Sequence, residues 1–76
     1  MRGEYVFMEV QVQMLLKGWN SHLLADRTGI SYPSLRRKMR GESPFTLDEA
    51  FRIRRALGCD MDLDALFARR AVVHDG

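Results

Sequence analysis

The stretch NSHLLADRTGISYPSLRRKMRG, residues 20–41, governs how the rest of the chain is read. It predicts two short helices joined by a tight turn. Asn20 is placed to cap the first, its side-chain oxygen accepting from a free N–H of the next turn. That helix, from Ser21 to about Thr28, turns Leu24 and Ala25 inward. Gly29 then stands where a helix ends in the left-handed conformation without a Cβ clash. Ile30 returns to the core, and Ser31 is positioned to cap a second helix running from about Tyr32 to Arg40. Gly41 ends it. Pro33 is tolerated in a first turn but biases Tyr32 away from helical geometry, so Tyr32 is an alternative cap.

The offsets carry more than the helices themselves. Two helices that cross closely need a small residue at the contact, and Ala25 supplies it. The turn needs a residue free to take positive φ, and Gly29 supplies that four positions later. Leu35 and Met39 lie one turn apart on the inward side, with Arg36, Arg37 and Arg40 outward. This is the pattern of a helix-turn-helix that presents its second helix.

Charge is distributed unevenly. The formal net charge is only +2, which says little by itself. Yet Arg36, Arg37, Lys38 and Arg40 fall in a stretch, residues 31–41, without an acid, while Asp60, Asp62 and Asp64 cluster near the other end. A basic face opposed by an acidic one is the electrostatic footprint of an oriented nucleic-acid binder.

Upstream, residues 4–19 predict a helix ending near Gly18. Met8, Val12, Leu15, Leu16 and Trp19 share one stripe at 100° per residue. Phe7, Val10 and Met14 form a second stripe on nearly the opposite side. Two apolar faces imply that one packs on the core and the other meets a partner; Phe7, Val10 and Met14 are the expected outer, dimer-forming stripe. Met8, Val10, Val12 and Met14 also alternate as a strand would, but nothing later in the chain supplies strands to pair with.

Downstream, Glu42–Phe45 is a loop in which Pro44 forbids helix continuation. Thr46 and Glu49 have the spacing of a capping box. The helix that follows should turn Leu47, Ala50, Phe51, Ile53 and Leu57 inward and end at Gly58. Asp62 is placed to cap a last helix with Leu63, Leu66 and Phe67 apolar. Residues from about 69 to 76 should fray. The expected fold is all-α, a compact five-helix bundle forming a single domain over residues 1–76.

Composition sets the remaining bounds. Seventy-six residues, 46% of them hydrophobic, suit one small globular domain with no separate effector or catalytic unit. The single Cys59 excludes an internal disulfide and a zinc cluster, which fits a reducing cytoplasm. Glu4, Glu9, Gln11 and Gln13 interrupt the apolar N-terminal residues, which excludes a membrane span there. His22 and His74 have no ligand-spaced neighbours. Asp60, Asp62 and Asp64 lack the glycine and distal glutamate of a calcium loop. No enzyme and no cofactor is expected.

Residues 20–58 resemble the phage-repressor-like, Cro-type (XRE) helix-turn-helix family. The likeness rests on LLADRTGIS, on SLRRKMRGESPFTLDEAFRIRRALG and, less distinctively, on DLDALF. It implies a lambda-repressor-like domain that binds operator DNA as a homodimer, in the manner of a phage or prophage repressor. By that resemblance Tyr32, Pro33, Ser34 and Arg37 face base edges or flanking phosphates. Ser21 stands where the family often has a glutamine, and reaches less far. Lys38 falls where many members have an apolar residue. The expected base readers are Tyr32, Ser34 and Arg37, with Ser31, Arg36, Lys38, Arg40, Ser43 and Thr46 positioning the backbone. The rival readings are a helical protein-interaction module, such as an antitoxin or adaptor, and RNA binding; the latter lacks an exposed aromatic platform.

Overall fold

A computed structural model describes residues 7–68. It contains α1 (Met8–Lys17), α2 (Ser21–Thr28), α3 (Tyr32–Met39), α4 (Leu47–Leu57) and α5 (Leu63–Leu66), with no strand among the described residues. The expected helical start at residues 4–6 and the expected fraying tail at 69–76 lie outside the described residues. The all-α reading holds.

Local chemistry explains where each helix starts and stops. The Asn20 side chain accepts from the Leu23 amide at 2.9 Å, capping α2. The Ser31 hydroxyl accepts from the Ser34 amide at 3.4 Å, so Ser31 caps α3 and Tyr32 is its first residue, with Pro33 in the first turn. Thr46 and Glu49 form the reciprocal capping box at the start of α4. Asp62 occupies the cap position of α5 but makes no capping hydrogen bond. Gly29 ends α2 at φ 75°, where its amide reaches the Ala25 carbonyl at 2.9 Å. A side chain there would strain the turn that aims α3.

One core unites the helices. Leu24, Leu35, Ile53, Leu57 and Leu66 are wholly buried, and Met39 and Met14 nearly so. Helix α2 packs against α3 and α4, while α1 closes the other side against α4 and α5. The buried Thr28 hydroxyl donates to the Leu24 carbonyl at 2.8 Å. Arg52 donates to the Thr28 carbonyl at 3.2 Å and so caps the C-terminal end of α2 from α4. Such pairing offsets the cost of burying the Thr28 hydroxyl and carbonyl.

Helix α1 faces the opposite way from the expected one. Phe7, Val10 and Met14 are core residues, whereas Met8, Leu15 and Leu16 are exposed. An aromatic cluster provides the reason. The Phe7 ring meets Phe45 at 5.2 Å and Phe67 at 5.8 Å, edge to face, and Phe45 meets Phe67 at 5.2 Å. Three aromatic rings from the start of α1, the loop before α4 and the end of α5 pack edge to face on the Phe7 side, and such pairs stabilise beyond their buried area. Helix α4 is corrected in part as well: Ala50, Ile53 and Leu57 are buried, but Leu47 and Phe51 point outward.

Candidate nucleic-acid interface

Helix α3 is anchored from below by Leu35 and Met39, which are 0% and 1% exposed. That fixes which side chains can face outward. Pro33 and Arg37 are exposed, and Ser34, Arg36 and Arg40 are half-exposed. Residues 33, 37 and 40 share a stripe, with Arg36 beside it, because they recur at i, i+4 and i+7. Among the described residues no ion pair engages Arg37. Arg40 lies 3.6 Å from Glu42 in a solvent-exposed pair, of a kind worth little in water.

Lys38 is used differently. Its ammonium donates to Glu49 Oε2 at 2.6 Å, with both side chains largely covered. Glu49 Oε1 meanwhile accepts from the Thr46 amide. One carboxylate thus pins the C-terminal half of α3 to the capped start of α4. Burial pushes the Glu49 pKa up, but the Lys38 hydrogen bond and charge, with the Thr46 amide and hydroxyl, outweigh it and hold the carboxyl below its ordinary 4.5.

At the other end of α3, Tyr32 is clamped. The His22 ring, from the first turn of α2, stacks on Tyr32 at 3.7 Å between centroids and 10° between planes. Arg36 donates to the Tyr32 hydroxyl at 2.7 Å, and its guanidinium carbon lies 5.6 Å from the ring centroid. The stack brings the N-terminal turns of α2 and α3 side by side, where free backbone amides and helix dipoles favour an anion.

The expected contact residues are therefore distributed as follows. Ser21 opens α2 and is half-exposed; Ser31 caps α3; Ser34, Arg36, Arg37 and Arg40 line the outer side of α3 with Pro33 at its tip, while Tyr32 is half-buried and packs against the core. Ser43 lies in the loop after α3, and Thr46 is exposed at the head of α4. Lys38 points to α4. His22 carried no expected role at this surface, because nothing in sequence marks residues ten apart as stacked. Only the crossing of two helices about a three-residue turn brings them together.

A helix-turn-helix family model matches residues 12–63. The chain belongs to the helix-turn-helix family. The match covers α2, α3, α4 and most of α1, and it agrees with the XRE-type resemblance of the sequence. Members of this family are DNA-binding transcription regulators, and that is the general role of this protein. No curated protein and no solved structure matches the chain. Among the described residues no group of His, Cys, Asp and Glu is gathered to hold a metal ion, and no helix is long and apolar enough to cross a membrane.

Proposed function

We propose that this helix-turn-helix protein is a phage-type repressor that binds operator DNA as a homodimer, with α3 in the major groove. The observation that carries the reading is the outward stripe of α3. Arg37 is exposed there with Arg36 and Arg40 beside it, on a helix whose rotation is fixed by Leu35, Met39 and the Lys38–Glu49 pair. Phosphate contacts from Ser21, Ser31, Arg36, Arg40, Ser43 and Thr46 set position, and Tyr32, Pro33, Ser34 and Arg37 meet base edges. An arginine forked onto guanine O6 and N7 contributes roughly 1–3 kcal/mol of discrimination. Repression follows from occluding a promoter in the bacterial cytoplasm. Lys38 supports this indirectly, by orienting α3 rather than by reaching phosphate.

A single small domain covers few base pairs, so tight binding takes two half-sites ~34–36 Å apart. Phe7, Val10 and Met14 lie in the core and leave that interface to other apolar residues. Met8, Leu15 and Leu16 on α1, or Leu47 and Phe51 on α4, are exposed. Sedimentation velocity on a duplex selected by the protein from a random pool tests the reading. Two protomers per duplex are expected. A single protomer on the duplex, with a monomer in free solution at micromolar concentrations, overturns the dimer. The same exposed α1 stripe also suits a protein-interaction module, which predicts a tight protein complex and weak, salt-insensitive DNA binding.

A further inference from the structure

The His22–Tyr32–Arg36 cluster fixes one hydroxyl more firmly than an exposed helix tip requires. Tyr32 is half-buried and packs against the core. One face of its ring is covered by the His22 imidazole at 3.7 Å, and its oxygen accepts from Arg36 at 2.7 Å. A guanidinium has donors only, so the direction of that hydrogen bond is forced. The phenol oxygen is thereby used as an acceptor, and its own O–H proton remains to be given away. Donation by a cation also polarises the O–H and strengthens it as a donor.

We propose that His22 is a positioning residue that sets Tyr32 as a dedicated hydrogen-bond donor to the N7 acceptor of a purine. This inference rests on the reading that α3 enters the major groove. The chemistry of the groove narrows the target. Purine N7, guanine O6 and thymine O4 are the acceptors there, whereas the cytosine and adenine amino groups are donors; of the acceptors, N7 is the one that both purines share. With Arg36 already donating to the phenol oxygen, giving its proton to an acceptor suits it better than taking a second donor from those amino groups. His22 holds the ring against swinging about χ1, so the ordering cost is met before DNA arrives. Arg36 acts through Tyr32 in the same way, which accounts for its turning back along α3 toward the tip. The bound arginine and the stacked imidazole make the hydroxyl, rather than the ring, the group that Tyr32 offers to a base.

The test uses the tightest duplex that the wild-type chain selects from a random pool. Each purine is replaced in turn by its 7-deaza analogue, and affinity is read by fluorescence anisotropy. At one purine in each half-site the wild type is expected to weaken about 5- to 10-fold, and Tyr32→Phe less than about 2-fold. His22→Ala is expected to lose most of that position-specific effect, and His22→Phe, which restores a stacking ring, to regain it. Circular dichroism should show both His22 variants folded, as suits an exposed position. The proposal is overturned if wild type and Tyr32→Phe give the same 7-deaza pattern, or if His22→Ala keeps the wild-type pattern. Uniform weakening of every duplex by Tyr32→Phe also overturns it, since it puts the hydroxyl on a phosphate. Failure of the wild type to select any duplex instead defeats the DNA-binding reading beneath it.

Discussion

Leu35→Ala is expected to lower the stability of the protein by roughly 3–5 kcal/mol, the upper part of the range for buried leucines. Leu35 is 0% exposed and belongs to the one core cluster that the helices share. Removing three methylene-scale groups there loses their transfer free energy and leaves a cavity that the surrounding turn cannot collapse to fill. A chain of 76 residues is stabilised by roughly 4–11 kcal/mol in all. The variant should therefore be largely unfolded near 37 °C, and its urea midpoint should fall by a large fraction of the wild-type value. Leu15→Ala makes the paired control. Leu15 is 67% exposed, and its loss should stay within about 0.5 kcal/mol. Equal damage from the two substitutions would show that α1 is turned the other way.

Glu49→Ala is the second large effect, about 2–4 kcal/mol by urea unfolding. The substitution removes the reciprocal half of the capping box, the carboxylate that accepts from the Thr46 amide, worth about 1 kcal/mol as a hydrogen bond. It also strands the Lys38 ammonium, only 14% exposed, without its anion, at a further cost of about 1–3 kcal/mol. Glu49→Gln should cost less, because an amide still suits the capping box. The two also separate with pH. The folded Glu49 pKa is held below the ordinary 4.5, so the carboxylate contributes its stability above the unfolded value and loses it as pH falls through the folded one. The gap between wild type and Glu49→Gln is expected to be widest near neutrality and to close in acid below 4.5. A gap that stayed constant from neutral to acid would remove the Lys38–Glu49 pair from the account.

Much of the fold was legible because short-range chemistry decides it. Asn20, Ser31 and the Thr46–Glu49 box mark helix starts, and Gly29 marks the turn; each is settled within about four residues. Leu24, Ala25, Leu35, Met39, Ile53 and Leu57 were legible from period alone. Helix α1 was not. Its two stripes are about equally apolar, and periodicity fixes the angle between faces but not which one is buried. The choice was made by Phe45 and Phe67, far along the chain, closing on Phe7. Phe51 misled for a related reason: it sits 100° from Ala50 around the helix, off the stripe of Ala50, Ile53 and Leu57. At the site, the outward cations were legible as a cluster. The division of labour among them was not, because Lys38 is set apart by Glu49 eleven residues on, and Arg36 by the Tyr32 hydroxyl.

The account stands on α3 as the surface that meets DNA. Fluorescence anisotropy of the wild type, Arg37→Ala and Arg40→Ala on the selected duplex, across a range of salt, tests this most directly. Binding should weaken steeply with salt, with a slope in log K against log salt near −0.9 for each phosphate neutralised. Arg40→Ala should weaken all sequences and make that slope shallower by about 1 per protomer, while Arg37→Ala should chiefly relax preference among sequences. Affinity, salt slope and sequence preference all unchanged in both variants would contradict the assignment of α3.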